Sequence, residues 1–77
     1  MNPDIRSKMI KLAHQYAESA RVAIRGVRHK AFVDIKKGGI AGEDDKRRLE
    51  KLVDEITKAS IALVDTALAR KEKDLNT

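Results

Sequence analysis

The sequence predicts an all-α protein in the form of a long antiparallel helical hairpin. The chain is 42% hydrophobic and 38% charged, but only 3% aromatic with a single proline, which is typical of long amphipathic helices. Apolar residues recur at steps of three and four along two stretches, and a glycine-rich stretch separates them. We therefore expect residues 1–77 to form one domain, with helices over 3–37 and 43–74 and a turn over 38–42.

The first helix has a clear start signal. Asn2 is a suitable N-cap, Pro3 fits the first helical position, and Asp4 meets the positive end of the helix dipole. Gly26 costs the helix roughly 1 kcal/mol relative to alanine, so it is either a tolerated weak point or a place of close approach to the backbone. The expected apolar stripe consists of Ile5, Met9, Leu12, Tyr16, Ala20, Ile24 (or Ala23), Val27, Ala31 and Ile35.

The turn and the second helix follow from glycines and charges. Gly38 and Gly39 favour a left-handed end to the first helix, and Gly42 can cap the next one. The acidic run Glu43–Asp45 suits a helix N-terminus. A short glycine turn between two long helices predicts an antiparallel pair. The apolar face of the second helix consists of Leu49, Leu52, Val53, Ile56, Ala59, Ser60, Leu63, Val64 and Ala67.

That second apolar face is wider than one partner helix can cover. A chain of 77 residues also buries only a modest core by itself. We therefore expect another chain to complete a three- or four-helix bundle, either as a second copy or by supplying a missing helix.

Composition excludes several functional classes. There is no cysteine, and two histidines are too few for a zinc site of their own, so we expect no metal or cofactor. No apolar run reaches the roughly 20 residues of a membrane span, and the N-terminus lacks a signal-peptide pattern. We expect a soluble protein of the cytoplasm or of an organellar matrix, without a membrane partner.

The charge distribution favours an anionic partner. The net charge is +5, and residues 3–37 carry nine Lys/Arg against three Asp/Glu, whereas residues 43–74 carry eight against nine. Arg21, Arg25 and Arg28 share one helical face, where guanidinium groups suit phosphate oxygens. The alternative is an ordinary solvated face.

The same side of the helix carries His29, Phe32 and Lys36. An aromatic residue within a basic stripe can stack on a base. It can also pack on the aliphatic stems of Arg28 and Lys36, and the sequence leaves both options open.

These residues resemble the C-terminal part of the ribosome recycling factor family. The resemblance is carried by Leu12-Ala13-x-x-Tyr16-Ala17-Glu18, Ala20–Arg28, Glu43–Arg47 and Leu68-Ala69-x-Lys71–Leu75. Departures occur at Gly26, His29, Lys30 and Phe32, where the family usually has Asn, Arg, Asp and Asn. The loop is also a few residues shorter, and Gly42 replaces a capping Ser.

The resemblance implies two helices of a three-helix bundle, without the first helix and without an inserted β-rich domain. It also implies binding to large-subunit ribosomal RNA, with elongation factor G as the partner of the full factor in splitting the ribosome. The rRNA-binding residues it implies are Arg21, Arg25 and Arg28, and we add His29, Phe32 and Lys36. It favours binding without full recycling activity.

The alternatives to a ribosome-binding protein come from two other functional classes. A self-associating helical bundle accounts for the wide apolar face, with the basic face then serving solubility. An enzyme is disfavoured because His14 and Glu18 have no further metal ligands, and the serines have no activating base.

Overall fold

A computed structural model describes residues 2–39 and 42–77 and places nearly all of them in two long α-helices. Helix α1 spans Pro3–Lys37 and helix α2 spans Glu43–Asn76. The prediction of an all-α helical hairpin is confirmed, and no strand occurs among the described residues. Helix α2 ends two residues later than the sequence indicated.

The helix ends agree with the sequence in part. The Asn2 side chain accepts a hydrogen bond from the Asp4 backbone N–H at 2.8 Å, and Gly42 is the N-cap of α2. The left-handed end expected at Gly38 and Gly39 is wrong, because no glycine in 2–39 or 42–77 has a positive φ. Gly38 has φ −64° and ψ 108°, and its N–H donates to the carbonyl oxygens of Asp34 and Ile35. Extended backbone after the helix replaces the expected cap, and the remaining turn positions, 40 and 41, lie outside the described residues.

The two helices form a single layer. The Cα positions extend over 58 × 16 × 9 Å, and among the described residues only Ala17 and Leu75 are buried, at 8% and 6% exposed. The contact between the helices is lined in α1 mostly by small residues one turn apart, and in α2 by larger aliphatic ones. Half-buried positions along it are Ile10, Ala13, Ala20, Ile24, Ala31 and Ile35 in α1, and Val53, Ile61, Val64 and Leu68 in α2.

The structure divides the expected apolar stripe of α1 into two faces. Its alanines, Ala20 and Ala31, approach α2 together with Ile24 and Ile35, whereas its other large members remain exposed. With exposed residues of α2 they form one continuous surface, which we call the open groove. Its residues are Ile5, Met9, Leu12, Tyr16 and Val27 of α1 with Leu49, Leu52, Ile56 and Leu63 of α2, and they are 40–72% exposed. Apolar surface thus stays uncovered on both helices, not on α2 alone.

Candidate nucleic-acid interface

The candidate site residues lie along the side of α1 that points away from the open groove. Tyr16 and Arg25 are nine residues apart, which is half a rotation at 100° per residue. Arg25, His29 and Lys36 therefore lie on the face opposite Tyr16. Arg21, Arg28 and Phe32 lie between that face and α2.

Arg21 is held against α2. Its Nε donates to Asp65 Oδ1 at 2.9 Å, and its Nη2 lies 2.7 Å from the same oxygen. Its Nη1 lies 3.2 Å from Glu18 Oε2, and the side chain is only 19% exposed. The hydrogen bond to Asp65 raises the pKa of Arg21. All three of its nitrogens therefore have carboxylate partners.

Arg28 has a different set of contacts. Its Nε donates to Asp54 Oδ1 at 2.7 Å, and its guanidinium carbon lies 4.2 Å from the centroid of the Phe32 ring. This distance is within the range of a cation–π interaction. Phe32 is half-buried, so the aromatic residue in the basic stripe packs on Arg28. Contact with an arginine is therefore present, and stacking of Phe32 on a base stays a prediction.

Arg25, His29 and Lys36 are the exposed positions of the set. Arg25 is 57% exposed, and its nearest carboxylate oxygen, Glu18 Oε1, is 3.7 Å from Nη1. His29 and Lys36 are exposed and make no ion pair with the described residues. We call these three residues the basic face. They can contact an anion without first breaking an ion pair with α2.

Two ion pairs and one histidine–glutamate contact join the helices along the edge next to the basic face. His14 contacts Glu72, Arg21 contacts Asp65, and Arg28 contacts Asp54. The members on α1 are seven residues apart, so they repeat on one side of the helix as in a coiled coil. Sequence analysis missed this ladder, although the 14, 21, 28 spacing was a visible signal. The pairs fix the antiparallel register, and two of the predicted RNA-facing arginines belong to them.

Cations of α2 lie on the same side of the hairpin. Arg47 is seven residues before Asp54, and Lys58 is seven before Asp65, so both share the side of α2 that meets Arg28 and Arg21. Both are exposed. The sequence assigned the anion-binding surface to α1 alone, because the net charge of α2 is close to zero.

Other site classes receive no support from the described parts of the chain. No three His, Asp or Glu residues within 2–39 and 42–77 are grouped to hold a metal ion. His14, considered with Glu18 as one edge of such a site, instead contacts Glu72. Neither helix, over the residues described, is long and apolar enough to cross a membrane.

The fold and the charge distribution define a basic, all-α helical-hairpin protein. A sequence model described as "Ribosome recycling factor" matches residues 1–75. The chain belongs to the ribosome recycling factor family.

Curated relatives agree with this assignment. A protein of Rhodopseudomonas palustris named ribosome-recycling factor is 45% identical over 80 residues, covering all of this chain and 43% of the relative. Its namesake in Rhizorhabdus wittichii is 48% identical over 73 residues, covering 91% of this chain and 40% of the relative. The chain thus spans less than half the length of these relatives. No solved structure matches it.

Proposed function

We propose that this chain binds the large ribosomal subunit and contacts ribosomal RNA through the side of α1 that carries the predicted site residues. The observation that supports this most is the exposed basic face, Arg25, His29 and Lys36, in a chain of the ribosome recycling factor family. Phosphate groups dominate the surface of RNA, and their binding needs exposed cations in register with the backbone.

The structure supports different roles for the three arginines. Arg25 meets phosphate directly as the most exposed of them, at 57%. Arg28 uses Nε for Asp54, which leaves its Nη1 and Nη2 without a partner among the described residues, so it can bridge Asp54 and a phosphate. Arg21 has all of its nitrogens engaged, and we propose that it positions α1 on α2. We propose that the Phe32 ring, which packs against the Arg28 guanidinium, orients it.

The proposed activity is binding without bond chemistry. Each phosphate contact releases counterions, so affinity falls with salt, with a slope of about 0.7 to 0.9 per contact on logarithmic axes. We propose no catalytic residue. For residues 1–77 we propose ribosome binding alone, in the cytoplasm or an organellar matrix, without the full separation of ribosomal subunits with elongation factor G, since the match covers only 43% of the relative.

The test is co-sedimentation with isolated large ribosomal subunits over a salt series. The double variant Arg25→Glu/Lys36→Glu reverses two exposed cations that make no ion pair with the described residues of α2. Reversal of Arg28 is less informative, because a glutamate there would face Asp54 and disturb the hairpin. Lys8→Glu/Lys73→Glu is the matched control, since both lysines are exposed and the change in charge is the same.

We expect the wild-type chain and the control to bind saturably, with the control slightly weaker. The Arg25→Glu/Lys36→Glu variant should lose binding while its circular dichroism remains helical. Equal loss of binding in both variants would mean that net charge alone determines binding. Retained binding in the Arg25→Glu/Lys36→Glu variant would mean that the basic face does not contact the ribosome.

A further inference from the structure

We propose that the open groove is covered by a second copy of this chain, so that two hairpins pack face to face, antiparallel, as a four-helix bundle. The proposal concerns the surface opposite the basic face and does not rest on ribosome binding. Its basis is the extent of the exposed apolar surface, its symmetry about the middle of the hairpin, and the charges along its rim.

The extent of the groove matches what a stable interface needs. Nine large apolar side chains there are 40–72% exposed, with Tyr16, Val27 and Leu63 the most exposed. Together they present on the order of 800 Å² per copy, which is what each partner contributes to an interface of standard size. The surface is two helices wide and one layer deep, and a second layer of two helices has the same width.

Two depressions of the groove lie symmetrically about its centre. One is lined in α1 by residues from Met9 to Ala17 and the other by residues from Ala23 to Ala31, and a further depression adjoins Leu63 in α2. The first two are equally far from Ala20. Leu63 of α2 lies near the same level, given the Arg21–Asp65 pair. A two-fold axis through this centre places each depression of one copy over the other depression of its partner.

Small and large residues alternate so that this pairing fills the depressions. The axis brings Val27 of one copy level with Ala13 of the other, and Met9 level with Ala31. Both depressions are lined by alanines together with larger apolar side chains, and one cation lines each of them, Lys71 in the first and Arg28 in the second. Interdigitation of large side chains with small ones is how helical layers reach interior packing density.

Charges on the outer rim agree with the antiparallel direction. Glu55 lies eight residues before Leu63, and Arg70 lies seven residues after it. The two-fold axis therefore brings Glu55 of each copy level with Arg70 of the other. Both side chains are exposed and have no ion-pair partner among the described residues. On α1 the same axis brings Lys8 close to the level of Asp34.

The first experiment measures mass by sedimentation equilibrium between about 1 and about 100 µM, a range that covers ordinary dimer affinities. We expect the wild-type chain to be a dimer at the upper end. Leu63→Glu places two carboxylates at the two-fold axis and should weaken dimerisation about 100-fold or more. Val22→Glu is the matched control, because Val22 is an apolar residue of α1 outside the groove that is also well exposed, at 59% against 72% for Leu63.

A folded wild-type monomer at the highest concentration would overturn the proposal. A dimer that withstands Leu63→Glu, or that Val22→Glu disrupts equally, would overturn it as well. Loss of the dimer in Leu63→Glu alone supports it.

The second experiment covers the case in which Leu63→Glu also unfolds the chain. Glu55→Arg and Arg70→Glu are exposed changes that should leave the helices intact. Each alone should weaken the dimer, because like charges then face each other, and the double variant should restore it. In a parallel dimer these two positions lie far apart. Failure of the double variant to restore a dimer weakened by both single changes would overturn the antiparallel arrangement.

Discussion

Replacement of Gly26 by alanine should stabilise the hairpin. Gly26 lies in the interior of α1, and a Cβ added there would have no atom within 4 Å beyond the helix's own backbone. Its φ is not positive, so alanine adopts the same backbone without strain. Glycine in a helix interior costs about 0.8 to 1.0 kcal/mol relative to alanine, because it loses more backbone freedom on folding. We expect Gly26→Ala to recover most of this free energy.

The assay is thermal unfolding followed by far-ultraviolet circular dichroism at matched chain concentration, since association shifts the midpoint. A gain of about 1 kcal/mol raises Tm by about 4–8 °C in a domain of this size. Ser19→Ala, at an exposed position of the same helix, is the control and should give about half the gain or less. An unchanged or lower Tm in Gly26→Ala would contradict a regular, open helix at this position.

The same variant also distinguishes the two interpretations of Gly26. If the glycine is only a tolerated weak point, Gly26→Ala should bind large ribosomal subunits as the wild type does. If a partner approaches the backbone there, the variant should be more stable and bind more weakly.

Two further predictions concern the ends and the edge of the hairpin. Gly38→Ala should change the free energy of unfolding by less than about 0.5 kcal/mol, because φ −64° is open to any residue and the new Cβ would lie 3.4 Å from the Ile35 carbonyl oxygen. A decrease of more than about 1 kcal/mol in the free energy of unfolding, measured by chemical denaturation, would indicate a left-handed conformation at Gly38 after all. Asp54→Asn should cost about 0.5 to 1 kcal/mol, as half-exposed ion pairs do, yet strengthen binding to large subunits at low salt by releasing Arg28. Weaker binding by Asp54→Asn would show that Arg28 needs Asp54 for its position.

The sequence was sufficient for those features that depend on local chemistry. The cap by Asn2, the start of α2 after Gly42 and the all-α hairpin follow from residue types and spacing within one or two turns. The uncovered apolar surface was also predictable, because two helices cannot cover a face as wide as that of α2. These features do not depend on how the helices are rotated against each other.

The features that sequence analysis missed depend on that rotation. Helix α1 carries a stripe of alanines beside a stripe of larger residues, and either could have faced α2. The structure selects the alanines, which brings Arg21 and Arg28 to the edge of α2 and leaves Tyr16 in the open groove. The carboxylates that pair with these arginines, such as Asp65, are determined by how α1 and α2 are aligned along their length. Residue spacing within one helix does not predict that alignment.

The most direct test of the account is photo-crosslinking of the chain to large ribosomal subunits from single cysteines. The chain has no cysteine of its own, so a photoreactive maleimide can be placed at one chosen position. His29→Cys places it on the basic face, and Val27→Cys places it in the open groove. If the basic face contacts ribosomal RNA, we expect crosslinks to large-subunit RNA from position 29 and few from position 27. RNA crosslinks mainly from position 27, or none from either position in a bound chain, would contradict it.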